Sequence, residues 1–200
     1  RTLEQSRVRV LEQGFVGRRR QIQRGVRVLR GFEDPKGLLI TGAAGVGKSC
    51  LAGKFIERFR EKKLVVAHGE LKTADLFHKL IQLFERYGVR SGLEALHAES
   101  PPEERIAALF RQAFRELPTV VYLDDFEQNL ERAVAGPSDR DDAFVVKRDS
   151  DALPLVRGLL RALPWAEGDA NLIVSSRYPF ALEHMGADLP ATNLATVPLM

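Results

Sequence analysis

Short apolar segments alternate with longer segments of mixed polarity along most of this chain. Four apolar runs have the length of buried strands and a fifth is a candidate; they lie at residues 37–41, 64–67, 119–123, 171–174 and 195–199. Between them, apolar side chains recur three and four positions apart, which predicts amphipathic helices. The predicted helices lie at residues 22–29, 47–60, 73–87, 101–117, 151–163 and 180–185. This alternation predicts an α/β fold with a parallel sheet covered on both faces.

Polar residues between these segments predict where helices begin and where loops lie. Thr73 is a candidate N-cap, and Ser100 with Glu103 has the spacing of a capping box. Residues 88–99 are predicted to be a loop. The charged stretch at residues 128–150 is predicted to be a mobile surface loop.

Composition is that of a single globular domain in a reducing compartment. Its 200 residues, of which 44% are hydrophobic, suffice for one sizeable core. The single Cys50 excludes a disulfide framework, and no apolar run reaches the length of a membrane span. We therefore expect a cytoplasmic location and no membrane partner. Because the chain does not begin with Met and ends in an apolar stretch, we expect a fragment of a longer protein.

Positive charge is concentrated near the N-terminus. The net charge is only +3, but residues 1–30 carry nine arginines against Glu4 and Glu12. Such a segment can meet nucleic acid or an acidic partner, or it can form a solvated helix face. The arginines at 18–20 also lie where a helix is predicted to begin, and they oppose its dipole. A bound nucleotide nearby would offset that arrangement, as would exposure of the side chains to water.

The most specific motif is Gly-Ala-Ala-Gly-Val-Gly-Lys-Ser at residues 42–49, between a predicted strand and a predicted helix. In that setting it is a phosphate-binding loop, in which glycines let backbone N–H groups converge on phosphate oxygens. Lys48 can reach the β- and γ-phosphates, and the Ser49 hydroxyl can bind Mg²⁺. Cys50 either touches the nucleotide or is a small packed residue. The candidate nucleotide-binding residues of this segment are Gly42, Gly45, Val46, Gly47, Lys48, Ser49 and Cys50.

Acidic residues follow the third predicted strand, at the edge where a parallel sheet would also place the phosphate loop. We assign Asp124 to the metal and Asp125 to activation of an attacking water, with Glu127 as the second choice for that base. For each acid the alternative is a turn or a helix cap. Arg177, after the fourth strand, either contacts the γ-phosphate or forms a surface salt bridge. The candidate catalytic set is therefore Asp125, Glu127, Lys48 and Arg177.

Other residues, and motifs that the sequence lacks, limit which ligand the chain is expected to bind. The four histidines are dispersed and show no metal-ligand spacing. No Asn-Lys-x-Asp motif for reading guanine occurs, so adenine is the expected base. The expected cofactors are ATP or ADP together with Mg²⁺.

Four segments in order form a recognisable set: Phe-Val-Gly-Arg at 15–18, the phosphate loop, Val-Tyr-Leu-Asp-Asp at 121–125 and Ser-Arg at 176–177. Over roughly residues 14–178 the chain resembles the nucleotide-binding domain of STAND ATPases, the signal-transduction class that includes the NB-ARC and NACHT groups. Residues 123–130 look particularly like bacterial members. The resemblance implies an AAA+-like P-loop NTPase fold, a three-layer α/β/α sandwich with a parallel five-stranded sheet in the order 5-1-4-3-2.

The resemblance also implies roles and partners. It places Val16, Gly17 and Arg18 against the adenine and Arg177 at the γ-phosphate. It implies a switch that rests with ADP and self-associates with ATP after a sensor domain meets its trigger, with slow hydrolysis. Residues 1–13 are then a basic lead-in and residues 14–200 the nucleotide-binding domain. The lid, sensor and effector regions of the class lie outside this sequence.

Two other functions remain open. Origin-recognition-type AAA+ ATPases that act on DNA also carry a Gly-Arg segment ahead of a phosphate loop, and the basic residues 1–30 would suit phosphate contacts. No helix-turn-helix is readable in the sequence, however. The other possibility is a module that holds nucleotide as a structural ligand without turnover.

Overall fold

The computed structural model describes residues 18–32, 35–133 and 143–200. The strands in these ranges are β1 (Gly37–Gly42), β2 (Lys63–His68), β3 (Thr119–Asp124), β4 (Leu130–Arg132), β5 (Phe144–Val146), β6 (Ala170–Ser176), β7 (Glu183–His184), β8 (Ala187–Asp188) and β9 (Leu194–Leu199). The α-helices are α1 (Arg19–Leu29), α2 (Lys48–Glu57), α3 (Thr73–Tyr87), α4 (Arg90–His97), α5 (Pro102–Arg111), α6 (Ala113–Glu116), α7 (Ala152–Ala162) and α8 (Leu189–Asn193). Short 3₁₀ helices lie at Phe126–Asn129 and Leu163–Ala166.

The five long strands form one parallel sheet in the order β2-β3-β6-β1-β9. Numbered one to five along the chain and taken from the β9 edge, these strands run 5-1-4-3-2. The predicted sheet order is therefore confirmed. Because all five strands run in the same direction, their carboxyl ends share one edge of the sheet, which is where ligands bind in such folds.

Helices cover both faces of this sheet because its strands are apolar on both sides. In β1, Leu38 and Ile40 face α1 and α2, whereas Leu39, which alternates with them, belongs to the core under the opposite helix layer. Phe55 of α2 is fully buried in the first of these cores, and Phe84 of α3 is fully buried in the second. The period of two along the strands thus builds a core on each face, and the three-layer α/β/α prediction is confirmed.

Two predicted helix caps are wrong, although both helices begin within one residue of the predicted position. In each case a residue distant in sequence contacts the start of the helix instead. The third helix begins at Thr73 itself, with Lys72 as its N-cap, and the Thr73 N–H donates to Asp151 Oδ2 at 2.8 Å. The fifth begins at Pro102 without a side-chain cap from Ser100. Its Glu103 pairs instead with Arg157 and Arg161 of α7.

Three predicted irregular or helical segments also differ in the structure. Residues 88–99 contain the helix α4, which packs against α3 so closely that a Cβ on Gly92 would lie 2.5 Å from the Phe84 ring. The predicted helix at 180–185 is instead a β7–β8 hairpin, whose turn holds Met185 and Gly186 at φ 49° and 79°. Part of the predicted loop at 128–150 is the antiparallel β4–β5 hairpin. Residues 134–142 of that predicted loop lie outside the described residues.

Within the described ranges, the structure contains no helix long and apolar enough to cross a lipid bilayer.

Candidate functional site

The phosphate-binding loop connects β1 to α2 in a conformation that only glycine tolerates at three places. Gly42 has φ 152°, and a Cβ on it would lie 2.5 Å from the Leu199 carbonyl oxygen of the neighbouring strand. Gly45 and Gly47 have φ 76° and 96°, but a Cβ on either would meet nothing within 4 Å. The neighbouring strand therefore requires glycine at position 42, whereas backbone conformation requires it at 45 and 47, where open space remains for a ligand.

Lys48 places a buried positive charge inside this loop. The residue is only 7% exposed, and its Nζ donates to the carbonyl oxygens of Gly42 at 2.8 Å and Ala43 at 3.1 Å. No carboxylate in the described ranges pairs with it. A buried ammonium without a counter-ion is costly, and an anion at the start of α2 would offset that cost. The loop geometry therefore fits a phosphate group.

Arg18, the residue before α1, connects the basic N-terminal helix to the loop. Its Nη2 donates to the carbonyl oxygen of Val46 at 3.0 Å. The contact places Arg18 beside the phosphate loop. Val16 and Gly17, which were predicted together with Arg18 to lie against the adenine, lie outside the described residues.

Asp124 ends β3 opposite the loop and receives three hydroxyl groups on a single oxygen. Its Oδ1 accepts hydrogen bonds from Tyr122 at 2.5 Å, Ser175 at 2.6 Å and Ser49 at 3.0 Å. These donors come from β3, β6 and α2, so the carboxylate ties two strands to the helix that follows the phosphate loop. Asp124 and Ser49, the two predicted metal ligands, are thereby in direct contact.

The same contacts keep the Asp124 carboxyl ionised. Burial by itself would raise its pKa, but the hydrogen bonds from Ser175, Tyr122 and Ser49 and the nearby His68 outweigh burial, and the pKa lies below the usual aspartate value. Burial, together with the charge of Asp124 and the hydrogen bond to it, raises the pKa of Tyr122 well above its usual value. A charged Asp124 and a neutral Tyr122 are therefore the stable pair at neutral pH.

His68 is a site residue that the sequence does not indicate. It ends β2 and pairs in register with Asp124 on the neighbouring strand. Its Nδ1 lies 3.4 Å from Asp124 Oδ2 and its Nε2 lies 3.5 Å from Asp125 Oδ2. The imidazole thus lies between the two acids, a position set by sheet register rather than by any local motif.

Asp125 and Glu127, the two candidates for activating water, lie in different surroundings. Asp125 is in the left-handed region with φ 53°, and its side chain is 41% exposed. The Glu127 side chain is only 13% exposed, and its Oε1 accepts from Arg177 Nε at 2.9 Å. Its Oε2 accepts from the Arg177 backbone N–H at 3.2 Å. The structure therefore brings Glu127 and Arg177 together, and it leaves the Asp125 carboxylate accessible to solvent.

The oxygen atoms of Ser49 and Asp124 suit a magnesium ion that binds together with a nucleotide. No group of three or more His, Cys, Asp or Glu side chains suited to a metal occurs among the residues that the structure describes. The Ser49 hydroxyl and the Asp124 carboxylate would supply two hard oxygen ligands, and Mg²⁺ is commonly held by such a pair plus substrate phosphates. Cys50, half-buried in the first turn of α2, is next to this pair in sequence.

Comparison with known proteins agrees with this geometry. The sequence profile of the family described as AAA ATPase domain matches residues 14–174. No curated protein sequence matches the chain.

Two solved structures show the likeness in fold. A STAND protein with a tetratricopeptide repeat sensor from Pyrococcus horikoshii is 18% identical with a TM-score of 0.60, over 96% of this chain and 24% of that chain. Cdc6p from Pyrobaculum aerophilum is 16% identical with a TM-score of 0.51, over 86% of this chain and 42% of that chain. The chain therefore spans less than half the length of either protein.

A phosphate loop and an acidic strand end on one edge of a parallel sheet in this order define a P-loop ATPase domain of the AAA+ type. Because the profile covers most of its length, the chain belongs to the AAA ATPase domain family.

We predict that Tyr122→Phe destabilises the protein in a pH-dependent way. The lowered pKa of folded Asp124 means that its hydrogen bonds stabilise the protein above the pKa of an unfolded aspartate, and that this stability is lost as pH falls through the folded value. Loss of one donor should lower the free energy of unfolding by about 1–3 kcal/mol at neutral pH. The loss should shrink at acidic pH, as measured by urea denaturation.

The matched control for this prediction is Tyr178→Phe. That ring is 42% exposed and stacks on Phe144 at 4.1 Å, and the described residues offer its hydroxyl no hydrogen bond. The control should change the free energy of unfolding by less than about 0.5 kcal/mol. A Tyr122→Phe effect of the same size at both pH values would show that the hydroxyl does not support the charge of Asp124.

Proposed function

We propose that this chain is the ATP/ADP-binding domain of a STAND signal-transduction ATPase, a nucleotide-driven switch with slow Mg²⁺-dependent hydrolysis. The observation that carries the proposal is the pairing of a buried, uncompensated Lys48 in a curled phosphate loop with an ionised Asp124 linked to Ser49. The first element suits phosphates and the second suits their metal ion. Together they fit a magnesium nucleotide better than either ligand alone.

Each residue of the site has a distinct task in this proposal. The loop N–H groups and Lys48 would hold the phosphates, and Ser49 and Asp124 would hold Mg²⁺, which would supply positive charge to the phosphate oxygens. Asp125, with its accessible carboxylate, orients and deprotonates the attacking water. The nucleotide-binding set also includes Val16, Gly17 and Arg18 at the adenine, and Gly42, Gly45, Val46, Gly47 and Cys50 around the phosphates.

The switch function is supported by the resemblance of the motif set to STAND ATPases and by the fold likeness to the STAND protein of Pyrococcus horikoshii. A switch needs to distinguish ATP from ADP, and Arg177, in the turn after β6, is the candidate sensor of the third phosphate. In the full-length protein, ATP would then favour self-association after a trigger reaches a sensor region. The isolated domain would bind nucleotide and hydrolyse it slowly.

We predict that Lys48→Ala abolishes nucleotide binding because it removes the charge that the loop holds for the phosphates. The dissociation constants of Mg·ATP and Mg·ADP should rise by at least about 100-fold. Isothermal titration calorimetry measures both. The control is Lys54→Ala on the same helix, because Lys54 pairs with Glu57 at 3.3 Å and donates no hydrogen bond to the loop in the described ranges.

Two outcomes would contradict the proposal. Micromolar nucleotide binding by Lys48→Ala would mean that the phosphates bind elsewhere. In the full-length protein, light scattering should show ATP-dependent self-association that the same substitution removes. If self-association depends neither on ATP nor on Lys48, the chain would be an ATPase domain but not a nucleotide-driven switch.

We predict that Asp125→Asn spares nucleotide binding and slows hydrolysis by about 10²–10⁴-fold, the usual contribution of a general base. Phosphate release from Mg·ATP measures the rate, and Asp149→Asn, at an exposed position, is the control. Unchanged turnover in Asp125→Asn would remove Asp125 from the reaction. Absence of turnover in the unsubstituted domain would favour the nucleotide-holding module over the hydrolytic switch.

One observation favours a second candidate function, an AAA+ ATPase that acts on DNA. The helix α1 has no acidic residue, and together with its C-cap it exposes arginines at positions 19, 20, 24, 27 and 30. A row of exposed arginines along one helix suits the phosphate backbone of a duplex. The similar fold of Cdc6p allows this function without arguing for it.

If α1 binds duplex DNA, the double substitution Arg20→Ala with Arg24→Ala should weaken binding equally for unrelated sequences. The salt dependence, plotted as log K against log salt concentration, should become shallower by about 0.9 for each phosphate that the protein no longer neutralises. Fluorescence anisotropy at several salt concentrations measures both. Exposed Arg58 and Arg60, which follow α2, supply a control double substitution. DNA binding that is absent, or that is insensitive to the α1 arginines, would exclude this function for α1.

A further inference from the structure

Glu127 and Arg177 form the one ion pair among the described residues that links the turn after β3 to the turn after β6. The carboxylate uses both oxygens, since Oε1 accepts from Arg177 Nε at 2.9 Å and Oε2 accepts from the Arg177 N–H at 3.2 Å. The Glu127 carboxylate thus holds both the backbone N–H and the side-chain Nε of Arg177. An ordinary surface ion pair joins two side chains, whereas this one also includes a backbone hydrogen bond.

The pair occupies only the inner end of the guanidinium. The Arg177 side chain is 50% exposed, and its terminal amino groups make no hydrogen bond to any described residue. These two groups form the fork of donors that matches a phosphate. Glu127, by contrast, is 13% exposed and has both oxygens engaged. The arginine is therefore held at Nε while its outer donors remain available.

We propose that Glu127 is a positioning residue that holds Arg177 ready for the third phosphate of ATP, and that it is not the base of the reaction. The inference rests on the proposed function, because it concerns the arginine assigned there to the γ-phosphate. A free arginine samples many rotamers, and ordering it costs part of the energy gained on binding. A carboxylate that orders the side chain beforehand removes part of that cost. Since a half-exposed ion pair adds little stability, its value lies in orientation.

This assignment separates the two acids that follow β3. Asp125 keeps an accessible carboxylate 3.5 Å from His68 Nε2, whereas both oxygens of Glu127 already accept hydrogen bonds from one arginine. A water molecule can therefore reach the Asp125 carboxylate directly. At Glu127 it would have to compete with Arg177 for the carboxylate oxygens. The sequence alone left both acids as candidates for the same role.

The test is a double-mutant cycle on the ratio of ATP to ADP affinity, measured by calorimetry with Mg²⁺. Arg177→Ala and Glu127→Ala should each lower the ratio by about tenfold, the equivalent of one charge-assisted hydrogen bond. The double variant should lose no more than Arg177→Ala alone. Glu131→Ala, an exposed position four residues further along, is the matched control.

Glu127→Gln distinguishes positioning from proton transfer. The amide keeps a carbonyl oxygen for Arg177 Nε but cannot take a proton, so it should recover much of the ATP preference that Glu127→Ala loses. An unchanged affinity ratio in Glu127→Ala would overturn the proposal. So would additive losses in the double variant, or a Gln variant that keeps the ATP preference and loses turnover as fully as Asp125→Asn.

Failure of the proposed function gives a different pattern. If Lys48→Ala binds both nucleotides as well as the unsubstituted protein, the phosphate site is wrong and the inference is overturned with it. If Lys48 is essential for both nucleotides while Glu127→Ala leaves the affinity ratio intact, the site stands and only the role of Glu127 is overturned.

Discussion

The buried carboxylate of Asp124 is the interaction on which the candidate site depends. Removing a charge from water is costly, and here three hydroxyl groups offset the cost by converging on one oxygen. Because the donors lie on β3, β6 and α2, the charge can be accommodated only when the central strands and the loop's helix are in register. The half of the site proposed to bind the metal and the packing of the sheet therefore depend on the same contacts.

The parallel sheet supplies the other constraint, since it brings segments far apart in sequence to one edge. Gly42, His68, Asp124 and Ser176 each end a neighbouring strand of that sheet. The cores on both faces hold these ends in place with apolar contacts that carry no chemistry. The polar groups of the candidate site thus lie at the carboxyl ends of the strands and in the segments that follow them. In those segments, backbone conformations such as φ 53° at Asp125 orient individual side chains.

The strands of the sheet and the site motifs are predictable from the sequence because both are encoded locally. Apolar runs gave the five long strands, the resemblance to STAND ATPases gave their order, and the Gly-Lys-Ser motif gave the loop. Errors arose where a distant residue decides the outcome: Asp151 replaces the predicted cap at Thr73, and α7 draws Glu103 into ion pairs. His68 could not be predicted for the same reason, because only the register of β2 against β3 brings it to Asp124.

The two cations of the site differ in a way that bears on how a switch would work. Lys48 is buried, rests on backbone carbonyls and has no acidic partner in the described ranges, so any phosphate chain relieves its charge. Arg177 is half-exposed and is already paired with Glu127. Binding of a phosphate to Arg177 would therefore depend less on the charge of the guanidinium and more on its fixed orientation. Affinity common to ADP and ATP would then come from the loop, and discrimination from an arginine whose orientation is set beforehand. When affinity and discrimination come from different residues, nucleotide can stay bound without a third phosphate. The third phosphate can then change the conformational state of the protein.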